Sequence, residues 1–126
     1  MKCNFVCMKK TLVIGASPKP ERYGYMATEL LKEYNHQVVP FGVGKGSIAG
    51  IEIENVLPLD KDFDTVTLYL SPPNQKPYYE YILDLHPKRV VFNPGTENPE
   101  LENLLHENGI EPIEACTLVM LRTGQY

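Results

Sequence analysis

Short apolar segments alternate along this chain with segments of helical periodicity, and this alternation restricts its fold more than any other feature. Five short segments predict strands, at residues 11–16, 37–41, 65–70, 89–92 and 112–116. Apolar residues three or four positions apart predict helices at residues 21–34, around 78–83 and around 101–105. Strands connected through helices run parallel, so the pattern predicts an α/β fold with helices on both faces of one sheet.

The predicted architecture is a single Rossmann-like, doubly wound parallel sheet of about five strands in the order 3-2-1-4-5. In sheets of this kind ligands bind outside the carboxyl ends of the strands, at the point where the strand order reverses. We therefore expect the functional residues in the loops that follow the strands, near a switch point between strands one and four.

The length and composition fit one acidic domain. The chain has 126 residues, 43% of them hydrophobic, and a net charge of −4, which does not favour a nucleic-acid partner. No apolar run approaches the roughly 20 residues that span a membrane. Three scattered cysteines do not form a disulfide framework, so we expect a cytoplasmic location. Residues 1–8 are expected to be a disordered or frayed extension, with a second possible start at Met8, and residues 9–126 to form the domain.

The loop after the first predicted strand, GASPKPERYG at residues 15–24, has features of a phosphate site. Gly15 permits a tight turn and a close approach of the backbone to a ligand, and the following helix begins with free N–H groups. Ser17 can cap the helix or donate to a phosphate, while Lys19 and Arg22 add positive charge. The alternative is an ordinary strand-to-helix turn with solvated charges.

The loop after the second predicted strand, GVGKGS at residues 42–47, lacks the acidic residue that selects NAD. Such folds usually carry Asp or Glu at the end of this strand, whereas here the next carboxylate is Glu52. Three glycines surround Lys45 instead. Flexible backbone beside one ammonium group suits an additional ribose phosphate, which NADP and coenzyme A both have. The alternative is a flexible surface loop.

The third and fourth loops differ in character. Ser71-Pro72-Pro73, after the third predicted strand, is stiff because two prolines fix φ and donate no N–H. After the fourth predicted strand, Asn93 and Thr96 offer polar contacts at a turn. Asn98 is typical of a helix N-cap, and Gly109 of the residue that follows a helix.

Four motifs, GASPKPERYG, GVGKG, YLSPP and NPGTEN, occur in this order after successive predicted strands. The set resembles the CoA-binding Rossmann domain, which opens the alpha subunit of succinyl-CoA synthetase and also occurs as small stand-alone proteins. The resemblance covers about residues 9–117 and implies cofactor-binding residues in all four loops. In the first loop, Ser17, Lys19 and Arg22, after Gly15, would lie near the CoA phosphates, and in the second, Gly42, Gly44 and Lys45 would lie at the adenosine end. Ser71 and Pro72 would lie beside the cofactor, and Asn93 and Gly95 near the pantetheine. The tail at residues 116–126 has no counterpart in that family.

The sequence favours binding over catalysis. By the same resemblance, the synthetase uses a phosphorylated histidine from a later domain. In this chain His36 and His86 precede strands two and four, at the opposite edge of the sheet, and His106 lies in a predicted helix. Cys116, near the end of strand five, is either a buried small residue or a thiol close to the cofactor. No nucleophile–histidine–acid set can be assembled at the ligand edge.

We therefore predict a non-catalytic protein that binds coenzyme A or acyl-CoA and holds no metal. Two alternatives remain open at this point. The first is an NADP-binding, reductase-like protein, since Lys45 suits either cofactor. The second is an interaction module without a ligand, in which the apolar segment 118–121 covers a partner or a second copy of the chain, as in a homo-oligomer.

Overall fold

The computed structural model describes residues 8–126, so residues 1–7 of the extension expected at residues 1–8 lie outside the described residues. The strands in this range are β1 (Thr11–Ile14), β2 (Val38–Phe41), β3 (Ser47–Ile48), β4 (Ile51–Glu52), β5 (Thr65–Leu68), β6 (Arg89–Phe92) and β7 (Glu111–Glu114). The helices are α1 (Tyr23–Glu33), α2 (Pro72–Gln75), α3 (Tyr79–Leu85), α4 (Pro99–Glu107) and α5 (Thr117–Arg122), and a 3₁₀ turn (Lys76–Tyr78) connects α2 to α3.

Five of the strands form one parallel sheet in the order β2-β1-β5-β6-β7. The central strand β1 is buried along its whole length, and its side chains alternate between two apolar layers. Leu12 and Ile14 pack with residues of α3 and α4, whereas Val13 packs with Leu31 of α1 and Leu121 of α5. Helices therefore cover both faces, and the predicted α/β class with one doubly wound parallel sheet of five strands is confirmed.

The position of one strand differs from the predicted order 3-2-1-4-5. The third strand of the sheet in chain order, β5, pairs with β1 and does not lie outside β2, which gives the order 2-1-3-4-5. The short antiparallel hairpin β3–β4 and the residues after it contact the outer side of β2 instead. There the Glu54 N–H donates to the carbonyl of Pro40, and the Gly42 N–H donates to the carbonyl of Glu54. Because this side of β2 is occupied, the strand order reverses between β1 and β5, not between strands one and four.

The helix boundaries follow local signals in the sequence. Asn98 is the N-cap of α4, and its side chain accepts a hydrogen bond from the Leu101 N–H at 3.3 Å. Gly109 follows the helix with φ +76°, as glycine permits. The tail, for which no element was predicted, forms α5; its Leu118 and Leu121 are buried, and Leu121 packs with Val13 of β1. None of the helices in residues 8–126 is long and apolar enough to cross a membrane.

Candidate functional site

A cleft of about 690 Å³ lies outside the carboxyl ends of β1, β2 and β5, where the strand order reverses. All four loops that the sequence predicts as ligand-binding loops contribute to the lining of this cleft. Its lining comes from residues 14–16 and 21–24, 41–43, 69–71 with 74 and 78, and 94–96. The position agrees with the general rule that ligands bind at the switch point of doubly wound sheets.

Two glycines bring the backbones at the floor of this cleft into close contact. Gly15 has φ +102°, and a Cβ atom there would lie 2.9 Å from the carbonyl oxygen of Tyr69 at the end of β5. A Cβ atom on Gly42 would lie 2.0 Å from the carbonyl oxygen of Ala16. Any side chain at either position would push the loops apart. The glycines therefore determine how closely the first loop approaches its two neighbours.

Helix α1 begins at the cleft with unpaired donors. Its N-cap residue Arg22 makes no side-chain capping bond, and the first turn contains no acidic residue. Within the described chain, the N–H groups of Tyr23, Gly24 and Tyr25 have no acceptor. Free N–H groups and the positive end of the helix dipole attract anions. The side chain of Arg22 borders the same space, so an anion here would meet both backbone donors and a guanidinium group.

The cleft brings together part of the predicted set. Gly15, Arg22, Gly42, Ser71 and Gly95 line it. Ser17, Lys19, Gly44, Lys45, Pro72 and Asn93 do not belong to its lining. The Ser17 hydroxyl accepts a hydrogen bond from the Lys19 N–H at 3.2 Å, so it stabilises the turn in which it lies.

The loop after β2 lies directly against the loop after β1. A Cβ atom on Gly44 would approach the Pro18 ring to 2.8 Å, which shows how tightly the two loops pack. Lys45 is exposed beside this contact. In the part of the chain that the structure describes, the salt bridges involve Lys10, Lys61 and Lys88, and none involves a residue of these two loops. The positive charges of Lys19, Arg22 and Lys45 are therefore not neutralised by an ion pair among the described residues.

Asn93 has a different environment from the one that the resemblance implies. Its side chain is buried and donates to the hydroxyl of Thr67 at 2.6 Å and to the carbonyl of Leu68 at 2.9 Å. Its amide oxygen accepts a hydrogen bond from the Thr117 N–H at 2.9 Å. These bonds connect β5, the end of β6 and the start of α5, and they occupy the polar atoms of the side chain.

Sequence reasoning missed Gln75, which connects the third and fourth loops. It is fully buried, and its amide nitrogen donates to the carbonyls of Leu70 and Thr96, both at 2.8 Å. Its amide oxygen accepts a hydrogen bond from Asn98 at 2.9 Å. The bonded carbonyls belong to residues that line the cleft. No local pattern marks such a residue, because its partners are distant in sequence.

Aromatic residues form the apolar part of the cleft wall. Phe41 and Tyr78 meet edge to face with their ring centroids 5.7 Å apart. Tyr69 also contributes to the lining, and its hydroxyl is buried without a hydrogen-bond partner among the described residues. Burial raises the pKa of this hydroxyl well above its ordinary value, so the group stays protonated.

The histidines and the cysteine of the described residues lie outside the cleft. Neither a histidine nor a cysteine lines the cleft within residues 8–126. His36 lies before β2, where its Nδ1 accepts a hydrogen bond from the Lys9 N–H, and His86 ends α3. Both therefore occupy the opposite edge of the sheet, as predicted. The described residues also contain no cluster of three or more metal-ligating side chains.

Comparison with known proteins places this geometry in a family. A family model described as a CoA binding domain matches residues 9–122. The fold is similar to the crystal structure of an uncharacterized protein that is 55% identical, with a TM-score of 0.92 and coverage of 95% of this chain and 99% of the other. It is also similar to a hypothetical protein from Pyrococcus horikoshii OT3, which is 26% identical with a TM-score of 0.83 over 94% of this chain and 84% of that one. A search among curated proteins finds no match. Because the family model spans all five strands of the sheet and the loops around the cleft, this chain belongs to the CoA binding domain family.

Proposed function

We propose that this protein binds coenzyme A or an acyl-CoA in the cleft without catalysing a reaction. The observation that carries the proposal is the uncapped start of α1, with Arg22 beside it, opening into the cleft at the switch point of the sheet. Membership of the CoA binding domain family supports the choice of ligand. The volume of about 690 Å³ falls within the roughly 300–1,000 Å³ of small-molecule sites.

In this proposal the CoA pyrophosphate lies at the start of α1. The N–H groups of Tyr23 and Gly24 would donate to it, and Arg22 would add a charge-assisted hydrogen bond. Lys19, which is exposed in the same loop, would contribute attraction at longer range. Such an arrangement binds phosphate oxygens without the need for a metal ion.

The adenosine end would lie against the loop after β2. Gly42 and Val43 line the cleft, and Lys45, which is exposed two residues further on, would contact a phosphate on the ribose. Ser71 and Pro72 would border the cofactor from the loop after β5, and Gly95 from the loop after β6. The pantetheine would then extend towards the fourth loop, whose position Gln75 maintains.

The side chains that line the cleft support a binding role without catalysis. The polar side chains there belong to Glu21, Arg22, Tyr23, Tyr69, Ser71, Asn74, Tyr78 and Thr96, and within residues 8–126 none of them has a hydrogen bond to a histidine. A nucleophile without an adjacent base is weak at neutral pH. The site is therefore suited to holding a thioester or thiol carrier, not to transforming it.

A thermal-shift panel tests the proposal. CoA, NADP, NAD and ATP are added at equal concentrations, and the melting temperature of the full chain is measured. A ligand that binds only the native state at about 100 times its Kd stabilises it by about 2.7 kcal/mol. For a domain of this size that corresponds to about 10 °C. We expect CoA to give the largest shift.

The same panel separates the alternatives. A shift with NADP that equals or exceeds the shift with CoA would favour the reductase-like alternative, because NADP also carries an additional ribose phosphate. A shift with NAD alone would contradict the assignment of Lys45 to a ribose phosphate, whether that phosphate belongs to CoA or to NADP. No shift with any of the four ligands would overturn the proposal.

A further inference from the structure

Asn55 supports the loop after β2 from outside the cleft. Its side-chain amide donates to the carbonyl of Gly42 at 2.6 Å and to the carbonyl of Gly44 at 2.9 Å. The side chain is exposed, lies thirteen and eleven residues away from these partners in sequence, and does not line the cleft. One amide group thus holds the carbonyls of Gly42 and Gly44 on the same side of the glycine-rich loop.

The orientation of these carbonyls determines the orientation of two N–H groups. In a trans peptide the carbonyl and the N–H of the next residue point in opposite directions. The Gly42 carbonyl shares a peptide group with the Val43 N–H, and the Gly44 carbonyl shares one with the Lys45 N–H. Because both carbonyls point towards Asn55, both N–H groups point away from it, on the other side of the loop.

These two N–H groups are free to bind an anion. Neither the Val43 N–H nor the Lys45 N–H has an acceptor within residues 8–126. Backbone donors of one loop that point the same way can bind an anion together, and the ammonium group of Lys45 adds a positive charge to the same loop. Gly42 and Val43 also line the cleft, so this part of the loop borders the space proposed for the ligand.

A glycine-rich loop needs such support more than most loops do. Residues 42, 44 and 46 are glycines, whose backbone can adopt many conformations at low cost. Ordering these peptides on binding would therefore cost conformational entropy. The hydrogen bonds from Asn55 order two of them before a ligand arrives.

We infer that Asn55 is a positioning residue: through the Gly42 and Gly44 carbonyls it orients the Val43 and Lys45 N–H groups towards the ribose phosphate of coenzyme A. The inference rests on the proposed function and assigns the recognition of one particular phosphate to this loop. Asn55 itself does not touch the cofactor. Its effect should therefore depend on whether that phosphate is present.

Calorimetric titration of the full chain with CoA and with dephospho-CoA, which lacks only the ribose phosphate, tests the inference. A hydrogen bond to a charged group contributes roughly 1.5–3 kcal/mol, so the wild-type chain should prefer CoA by about tenfold or more. In Asn55→Ala we expect the preference to fall to about twofold, because CoA binds more weakly while the affinity for dephospho-CoA stays nearly the same. Asn55→Leu, which has a similar size, no N–H donor and no charge, should show the same loss.

Asn108→Ala is the matched control. Asn108 is also exposed and also donates to a backbone carbonyl, that of Leu104, but it lies at the end of α4 and away from the cleft. This variant should keep the full preference for CoA. If Asn55→Ala keeps it as well, or if both ligands weaken equally, the inference is wrong while the proposed function stands. If the wild-type chain binds neither ligand, the proposed function fails, and the inference fails with it.

Discussion

Single charged side chains around the cleft should affect ligand binding and leave folding almost unchanged. Arg22 and Lys45 are exposed, and neither forms an ion pair among the described residues. Surface substitutions of this kind usually change stability by less than about 0.5 kcal/mol. In contrast, reversing a charge that contacts a phosphate should lower CoA affinity by about tenfold or more. We therefore expect Arg22→Glu and Lys45→Glu to bind CoA weakly and to unfold at nearly the wild-type temperature.

Arg122→Glu separates a local effect from the change in net charge. Arg122 lies in the last turn of α5, is exposed and is remote from the cleft, so its reversal changes the net charge by the same amount. It should retain CoA affinity, because screening weakens charge effects beyond about 10 Å. Normal CoA binding by both Arg22→Glu and Lys45→Glu would contradict the phosphate assignment.

Among individual residues, those whose role depends on their own loop could be predicted from the sequence. Gly15, Arg22 and Ser71 were expected at the ligand edge because a strand end, a helix start and a proline pair are local signals. Asn55 and Gln75 escaped prediction because their partners lie five to twenty-three residues away. An isolated amide in the sequence does not indicate which carbonyls it will meet.

At the scale of elements, the strands of the main sheet and the helices α1, α3 and α4 could be predicted, whereas the β3–β4 hairpin, α5 and the placement of one strand could not. Apolar periodicity depends only on neighbouring residues, so β1, α1 and α4 appear close to their predicted positions. The place of β5 depends on whether the outer side of β2 is free. The β3–β4 hairpin and the Glu54 contacts that occupy it come from a segment predicted as a plain loop.

The junction between β5, β6 and α5 depends on Asn93. Replacing it with alanine leaves the Thr117 N–H and the Leu68 carbonyl buried without these partners. Each unsatisfied buried group costs roughly 1–3 kcal/mol, so we expect Asn93→Ala to lower the unfolding free energy by about 2–4 kcal/mol in urea titrations. Asn103→Ala, at an exposed position of α4, should change it by less than about 0.5 kcal/mol. Wild-type stability combined with weakened CoA binding in Asn93→Ala would instead support the pantetheine contact that the resemblance implies.

On the scale of the whole molecule, the two edges of the sheet differ in how their polar groups are bonded. Among residues 8–126, the carboxyl edge has N–H groups without an acceptor and cations without an ion pair around the cleft. The opposite edge uses its polar groups internally: the Tyr126 hydroxyl bonds to the Thr11 hydroxyl at 2.7 Å, and the Arg89 guanidinium lies over the Tyr126 ring at 4.4 Å. His36 packs edge to face on the same ring, with centroids 4.9 Å apart. A perturbation at this edge should therefore alter stability without altering the affinity for CoA.

His36 allows this separation to be measured. Burial, followed by the nearby charges of Lys9 and Arg89, lowers the pKa of His36 below its ordinary 6.5, although Asp64 opposes the shift. The unfolded chain thus takes up the proton at a higher pH than the folded one. The contribution of His36 to stability is therefore complete above pH 6.5 and is lost as the pH falls through the pKa of the folded state.

We expect the unfolding free energy of the wild-type chain to decrease from about pH 7 to 5.5, and that of His36→Gln to vary much less. The control is His106→Gln, which changes an exposed histidine of α4 and should show the same decrease as the wild-type chain. CoA affinity at pH 7.5 should be equal in all three proteins. An unchanged pH slope in His36→Gln would show that another group at this edge titrates, and a loss of CoA affinity would show that the two edges are coupled.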